Sequence, residues 1–284
     1  MNNSRFIINF KPGDTLLHKL TGATKVRMFL LLTIYLIMSF DLRLILPVTV
    51  CAIVGMISLK SKWKPLRYIL MFVIMYNIFS LTLYFVANPN IGSEYCGSQT
   101  ILKVLSERYF VSGETLWYLM TRFIKIISQV LLSLTFISAI TPSEFAAGLY
   151  SIKVPYKICT IVSLAFRCIP DIFRDYQNIS ISMQARGVEM DSKNTKLGQR
   201  LKQSIMIIIP LLFSSFDKVG NIANAMDLRG FGRGKHRSYY AEHEMTRADK
   251  VFRVLYILLG IFIICYIASK YIRPDYYLLW YPFA

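Results

Sequence analysis

The sequence predicts an all-α, polytopic membrane protein with about five transmembrane helices and a cytosolic or interfacial module of amphipathic helices. Hydrophobic residues make up 55% of the 284-residue chain and the mean hydropathy is +0.45, values typical of integral membrane proteins. Several apolar runs approach or exceed the roughly 20 residues that span a bilayer. The Lys and Arg residues, which give a net charge of +17, lie mainly between those runs.

This distribution of charge also excludes some classes of function. Basic loops beside apolar runs follow from membrane topology, so we expect no nucleic acid as a partner. The five cysteines form no Cys-x-x-Cys pair and have no metal-like spacing with the three histidines. That pattern argues against a metal site. No pattern indicates a cofactor, and we expect none.

Residues 1–27 are predicted to form a cytosolic N-terminal arm without a cleavable signal. Residues 28–140 are predicted to form transmembrane helices 1–4. Within 28–59, the charges of Asp41 and Arg43 divide the apolar run, which predicts two somewhat short helices. One long span plus an interfacial piece is the alternative.

Pro65 is well placed to open the third helix, and residues 88–114 have the polar, turn-rich composition of a longer external loop. The fourth apolar segment, 115–140, contains Arg122 and Lys125. A charge at the centre of a bilayer is costly, so we expect both cations near the outer end of this helix or facing protein.

The chain changes character over residues 141–250. Thr141 to Glu144 has a capping-box pattern with proline at the first helical position, which predicts a short helix. Two long stretches, 154–186 and 197–229, follow with apolar residues at three- and four-residue spacing, which predicts amphipathic helices. Ile205 to Phe213 is very apolar but too short to cross a bilayer. We expect it at the membrane surface or against a partner.

Residues 251–284 are predicted to form the last transmembrane helix and an aromatic, interfacial tail. The short loops indicate the orientation of the chain: residues 60–67 hold four Lys or Arg, whereas residues 41–43 hold one. Because positive charge marks the inner side of a membrane, the N-terminus and residues 141–250 are predicted to be cytosolic. The protein is therefore expected to be a multi-pass protein of the cell membrane.

No sequence pattern indicates catalysis, and we expect no enzyme. Gly230 to Lys235 is glycine-rich like a phosphate-binding loop, but Arg229 occupies the place of the first glycine and His236 that of Ser or Thr. The apolar parts of the predicted spans contain no Asp or Glu. This argues against a self-sufficient carrier driven by protons or sodium ions.

Each amphipathic stretch ends in an Arg-Gly pair, at Arg186-Gly187 and at Arg229-Gly230. Capping alone explains a single such end, because glycine favours the position after a helix and a cation complements the helix dipole. Two copies in one cytosolic segment favour a further role. The planar fork of arginine suits insertion into a partner groove, so we interpret the two ends as plugs for a partner that comes as a pair.

Five segments resemble the transmembrane coupling (T) component of energy-coupling-factor (ECF) transporters, the EcfT/CbiQ-like family. The resemblance covers nearly the whole chain and is most specific across residues 141–232. The family motif is usually Ala-Arg-Gly, and the second copy here has Leu228 in place of alanine. The segments are Leu20-Thr-Gly-Ala-Thr-Lys25, Thr141-Pro-Ser-Glu144, Ala165-Phe-Arg-Cys-Ile-Pro170, Met183-Gln-Ala-Arg-Gly187 and Ala225-Met-Asp-Leu-Arg-Gly-Phe-Gly232.

The resemblance implies that residues 141–250 are the coupling-helix module of an ATP-binding-cassette importer for a vitamin or a metal ion. Two cytosolic ATPase subunits would each receive one helix end, and the unequal motifs favour two different ATPases. ATP-driven closure would move the helices, while this chain would hydrolyse no ATP. The ATPase-binding residues would be Ala185, Arg186, Gly187, Leu228, Arg229 and Gly230.

The resemblance further implies a membrane-embedded, substrate-binding S component that rests on the two amphipathic helices and topples to release its substrate inside. Wide apolar faces on helices that do not span the membrane need a partner surface. The residues expected to face the S component are Ile169, Phe173, Ile205, Ile208, Leu212 and Phe216. Two other interpretations stay open: a stand-alone membrane carrier or enzyme, and a membrane-surface scaffold that binds acidic lipids.

Overall fold

The computed structural model describes residues 15–59, 63–96, 101–104, 110–188, 197–234, 246–272 and 282, and it confirms the all-α class. Two short strands between α5 and α6 pair antiparallel, an addition that the sequence did not predict. The elements are α1 (Leu16–Lys19), α2 (Gly22–Met38), α3 (Leu42–Ser58), α4 (Trp63–Ala87), α5 (Ile91–Cys96), β1 (Ile101–Val104), β2 (Phe110–Ser112), α6 (Gly113–Ala139), α7 (Pro142–Ser151), α8 (Tyr156–Ala185), α9 (Leu197–Leu228) and α10 (Arg247–Ile272).

The chain divides into two compact units. Residues 149–241 form one unit, which carries the long helices α8 and α9. Residues 11–148 and 242–284 form the other, which carries α1 to α6, most of α7, and α10. The aromatic tail predicted at the C-terminus lies outside the described residues apart from Pro282, and so do residues 1–14 of the predicted N-terminal arm.

In the larger unit, α6 is the central helix and packs against α2, α3, α4 and α5. One apolar cluster joins α2, α3, α6 and α10, and a second joins α3, α4 and α6. Buried hydroxyls cross the α3–α6 contact: Thr49 and Ser128 share a 2.6 Å hydrogen bond, and Thr135 donates to Ala52 O at 3.1 Å. Small and hydroxyl residues let helices approach closely inside a membrane.

The chain breaks between α2 and α3 at residues 39–41, as the interpretation with two short helices predicted. Each helix has 17 residues and is therefore about 25 Å long, somewhat less than the roughly 30 Å of a bilayer core. α2 and α3 both pack on α6 and make little contact with each other.

α2 begins at Gly22, six residues before the predicted start of the first span at Met28. A group of contacts explains the difference. Lys25 Nζ donates to Glu144 Oε2 at 2.9 Å, to Ala139 O at 2.9 Å and to His18 O at 3.1 Å, and its side chain is only 4% exposed. A buried cation needs such partners. They stabilise the polar first turn of α2 as a helix packed against α7.

Glu144 is placed for this contact by the predicted capping box at the start of α7. Its Oε2 accepts from Thr141 N at 3.0 Å, and its own N donates to Thr141 Oγ1 at 3.3 Å. Two glycines allow α2 and α7 to touch: a Cβ on Gly148 would lie 2.4 Å from Val26 Cγ2, and one on Gly22 would lie 2.2 Å from Glu144 O. We call the contact of Lys25 with Glu144 the α2–α7 latch.

Four described helices are long and apolar enough to cross a membrane: α4, α6, α10 and, through Gln203–Leu228, α9. The first three were predicted as spans. α9 was predicted at the membrane surface because its uninterrupted apolar run is short, whereas its average hydropathy over a longer window is high. Its placement outside the bilayer core stays a prediction.

Candidate functional site

The two amphipathic helices of the smaller unit pack on each other in antiparallel fashion. Tyr156, the first residue of α8, meets Phe231, just beyond the end of α9, edge to face at 5.8 Å between ring centroids. Farther along α8, Asp175 forms an ion pair with Lys218. Residues farther along α8 contact residues with lower numbers in α9. The C-terminal ends of α8 and α9 therefore point in opposite directions.

Both predicted Arg-Gly pairs form the same helix end. Gly187 N donates to Gln184 O at 3.0 Å and Val188 N to Met183 O at 3.1 Å. At the second end, Gly230 N donates to Asp227 O at 2.9 Å and Phe231 N to Met226 O at 2.9 Å. These paired bonds define a Schellman cap, in which the arginine is the C-cap residue and the glycine follows it.

Glycine is required at both caps because the backbone is left-handed there. The φ angle is +86° at Gly187 and +68° at Gly230, values that cost other residues energy. A Cβ at Gly187 would meet no atom within 4 Å, so the requirement at that position comes from the backbone and not from crowding. The cap turns the chain sharply and leaves the preceding arginine at the tip of the helix.

The two ends belong to a longer internal correspondence at a spacing of 43 residues, which pairs Arg186 with Arg229. The ion-pair partners Asp175 and Lys218 are separated by the same 43 residues. Each arginine therefore lies 11 residues beyond an ion-pair residue of its own helix, about 16 Å along the axis. The two arginines lie on opposite sides of this ion pair, and along a common helix axis they would be about 33 Å apart.

The corresponding residues are Ile169 and Leu212, Phe173 and Phe216, Asp175 and Lys218, Met183 and Met226, Ala185 and Leu228, Arg186 and Arg229, Gly187 and Gly230, and Val188 and Phe231. The sequence prediction found the Arg-Gly copies but not the ion pair. The signal that could have found it is the pair of opposite charges at the same spacing as the two motifs. The ion pair itself is a contact between helices, which periodicity within one helix does not report.

The predicted contact residues at the tips are accessible. Ala185 and Arg186 are exposed at the end of α8, and Arg229 is exposed after α9. Neither guanidinium forms an ion pair or a hydrogen bond with another described residue. Leu228 is 90% exposed, the highest value among the large hydrophobic residues that the structure describes. An apolar side chain beside an available cation is typical of a contact for another protein.

Most of the residues predicted to face the S component are exposed. Five of the six are exposed, among them Phe216 at 68%, and Phe173 is half-buried. Phe216 precedes Lys218 by two residues, and residues two apart point to nearly opposite sides of a helix. Because Lys218 faces α8, Phe216 points away from that contact. The apolar surface of α9 also includes Ile209, Phe213 and Val219, which the prediction omitted.

The side chains at the two tips suit binding to another surface. The described part of the chain contains no group of three His, Cys, Asp or Glu side chains that could hold a metal ion. The groups at the tips are guanidinium and apolar side chains, which recognise partner surfaces through charge, hydrogen bonds and burial.

Known proteins match most of this chain. The model of the CbiQ family, described as a cobalt transport protein, matches residues 13–240. The energy-coupling factor transporter transmembrane protein EcfT of Bacillus selenitireducens is 23% identical over 270 residues, which are 91% of this chain and 95% of the relative. The protein of the same name from Streptococcus equi is 27% identical over 89% of this chain and 93% of the relative.

The corresponding Streptococcus thermophilus protein is 32% identical over a shorter stretch, 54% of this chain and 59% of the relative. The family match covers α1 to α9, including the caps at Arg186 and Arg229, and ends before α10. The chain therefore belongs to the EcfT/CbiQ-like family of transmembrane components of energy-coupling-factor transporters.

Proposed function

We propose that this chain is the scaffold of an ECF-type ATP-binding-cassette importer and transmits the motion of two cytosolic ATPases to a membrane-embedded S component. The observation that carries the proposal is the pair of identical, exposed caps at opposite ends of one antiparallel helix pair. One chain thus offers two equivalent contacts that are too far apart for a single small groove. Each ATPase receives one tip, and the helices between the tips carry the motion.

The arginine is the polar part of each contact. Arg186 and Arg229 each sit at a C-cap, where the last helix carbonyls attract a cation, and both point into solvent without a partner among the described residues. A carboxylate or a cluster of backbone carbonyls on the ATPase fits this group, because the guanidinium donates several hydrogen bonds in a fixed plane. Leu228 and Ala185 supply the apolar part beside it.

The difference between Leu228 and Ala185 supports two different ATPases. A leucine that goes from 90% exposed to buried contributes about 2 kcal/mol, which alanine at the other end does not. We expect Leu228→Ala to weaken the ATPase at the second tip by at least about tenfold while the first contact is unchanged. Ala185→Leu should obstruct the first ATPase. Equal effects of both substitutions on both ATPases would refute the proposal that the two ATPases have different binding sites for the helix ends.

The apolar faces of α8 and α9 hold the S component. They present bulky side chains such as Ile205, Leu212 and Phe216 to the outside of the pair, and apolar surface of this kind lowers its free energy by contact with a partner or with lipid. The S component binds the transported vitamin or metal ion, so the chain described here sets no substrate specificity. It has no catalytic activity of its own.

This function requires the N-terminus and the coupling-helix module to lie in the cytosol of a multi-pass membrane protein. The concentration of positive charge supports that orientation, since 25 of the 33 Lys and Arg residues fall in the segments assigned to the inner side. The α2–α7 latch has the same placement: it holds Lys25 and Glu144 at the end of α6 from which the chain leads into the module.

The test is to replace Arg186, Arg229 or both with glutamate, with Arg174→Glu as the matched control. Arg174 is an exposed arginine of α8, 12 residues before the cap, so it carries the same charge change away from the tip. We expect each tip variant to insert normally but to lose one ATPase on co-purification, and the double variant to lose both and to stop uptake. Arg174→Glu should retain both ATPases.

Normal uptake in the double variant would overturn the proposal. Substrate uptake or turnover by the purified chain alone in liposomes would identify a stand-alone carrier or enzyme instead. Association that depends on acidic lipid and not on the ATPases would identify a membrane-surface scaffold.

A further inference from the structure

A cavity of about 330 Å³ lies between α2 and α6 in the larger unit. Its wall is apolar along Leu36, Ile37 and Ile126, and polar where Arg122, Lys125 and Gln129 enter it. Among the described residues that line it there is no Asp or Glu. The volume falls in the range of cavities that bind small ligands or parts of larger ones.

Both cations contact neighbouring helices. Lys125 Nζ donates to Ile37 O at 2.9 Å and lies 4.6 Å from the centroid of the Phe40 ring. Arg122 Cζ lies 3.5 Å from the centroid of the Tyr84 ring, and its Nε is buried without a hydrogen-bond partner in the described structure. Aromatic faces stabilise cations but do not neutralise them, and no carboxylate is among the described residues that line the cavity.

The depth of the cavity follows from the contacts of α2 with α6. Lys25 Nζ donates to Ala139 O at one end of that contact, and Lys125 Nζ donates to Ile37 O at the other. Arg122 is 17 residues from Ala139 along α6, which is about 25 Å. If the end of α6 at Ala139 is placed at one boundary of a bilayer core roughly 30 Å thick, the guanidinium of Arg122 lies just inside the opposite boundary.

Aromatic residues lie at the same bilayer depth as Arg122. Phe40, Tyr95 and Tyr118 stack beside the cavity with centroids 5.1 to 6.4 Å apart. Tyrosine and other aromatic rings favour the region where headgroups meet acyl chains. α2 ends and α3 begins near this cavity, whereas α6 extends nine residues beyond Arg122 toward Gly113. The cavity therefore opens where a lipid headgroup meets the protein.

We propose that this cavity binds the phosphate of an anionic phospholipid from the leaflet on the side of the α2–α3 turn. Arg122 and Lys125 bind the phosphate, since charge-assisted hydrogen bonds to phosphate oxygens are strong. Gln129 donates from its amide, and Leu36, Ile37 and Ile126 contact the adjoining acyl chain. A lipid fits better than a soluble anion because the wall beside the cations is apolar and the site lies at bilayer depth.

The site is distinct from the general attraction of basic loops to acidic membranes. The predicted positive-inside charge lies at the opposite ends of the helices, near Lys25 and the loop at 60–67. Arg122 and Lys125 instead form a local pair one turn apart on α6, with side chains fixed by Tyr84, Ile37 and Phe40. Such a pair binds one lipid in a defined place.

The experiment measures lipid retained by the purified full-length chain in native mass spectrometry, with equal amounts of phosphatidylglycerol and phosphatidylcholine added to the detergent. We expect one phosphatidylglycerol to be retained in preference to phosphatidylcholine. Arg122→Gln and Lys125→Gln should each reduce that retention about fivefold, because one cation contributes about this much to anionic lipid binding. The double variant should lose the preference.

Two further variants keep the test decisive. Ile126→Trp fills the cavity while both cations remain, so it should remove the retained lipid without a change in net charge. Arg43→Gln removes one cation at the α2–α3 turn that does not line the cavity, and it should bind lipid like the unmodified chain. Gel filtration and thermal unfolding identify any variant that fails to fold.

Equal retention of both lipids would overturn the proposal, as would an equal loss in Arg43→Gln, which would indicate diffuse attraction. Displacement of phosphatidylglycerol by excess inorganic phosphate would show that the cavity binds a soluble anion. Retention by Ile126→Trp would place the lipid elsewhere on the chain.

Discussion

Replacement of Gly187 by alanine is expected to weaken the first ATPase contact without unfolding the membrane helices. Gly187 has φ +86°, and a Cβ at this position would meet no atom within 4 Å, so the whole effect comes from the left-handed backbone. That conformation costs a residue with a Cβ about 1–2 kcal/mol. If the cap must form for Arg186 to reach its partner, the affinity should fall by about 5- to 30-fold.

The assay is the affinity of the purified chain for the ATPase pair, with helix content from circular dichroism as the check on folding. Gly220 offers a matched control: it lies inside α9, a Cβ there meets no atom within 4 Å, and its φ is not positive. Gly220→Ala should leave binding unchanged and stabilise the helix by about 0.5–1 kcal/mol. Gly187→Asn should bind better than Gly187→Ala, because asparagine tolerates the left-handed region.

The reasoning is refuted if Gly187→Ala binds the ATPases like the unmodified chain, because the cap conformation would then be irrelevant to docking. It is also refuted if Gly220→Ala weakens binding equally. In that case the loss would follow from any change in the stiffness of the helix pair, not from the geometry of the tip.

Three further outcomes are expected. Lys25→Met should destabilise the chain by up to about 3–5 kcal/mol, because it leaves the partly buried Glu144 without its cation. Thermal unfolding measures this loss, and the double change with Glu144→Gln should recover part of it. Burial, and then Lys25, holds the pKa of His18 below its ordinary 6.5. The unfolded chain therefore takes up the proton first as the pH drops below 6.5, and the stability of the fold should decrease. His18→Gln should flatten this dependence of stability on pH. Exchange of Asp175 and Lys218 should change stability by less than about 1 kcal/mol, because the pair is partly exposed. Lys218→Asp alone should instead weaken the contact between α8 and α9 and reduce the coupling of ATP hydrolysis to uptake.

Local patterns in the sequence predicted most of the helices. The capping box at Thr141 and Glu144 has the expected reciprocal bonds, and α8 and α9 end at the predicted Arg-Gly pairs. These features depend on residues three to five apart, so periodicity and capping chemistry report them directly. Arg122 and Lys125 were expected near the outer end of their helix or facing protein, and their contacts with Tyr84 and Ile37 agree with that expectation.

Contacts between distant residues could not be predicted in the same way. α2 starts at Gly22 because Lys25 is buried against Glu144, 119 residues later, whereas hydropathy alone places the start at the first long apolar run. α10 begins at Arg247, before the predicted Val251, and Asp249 in its first turn accepts from Thr21 N at 3.0 Å. In both cases a polar first turn is stabilised by a partner that the local sequence does not contain.

The equal distances from the central ion pair to the two tips have a consequence for symmetry. An antiparallel pair whose matching residues are 43 positions apart has an approximate twofold axis through the contact of Asp175 with Lys218. A single chain can therefore meet a dimer on the axis of that dimer, with a stoichiometry of one to two and the same contact made twice. The symmetry is broken at Ala185 and Leu228, so the proposed pair of unlike ATPases would bind the chain in one orientation only.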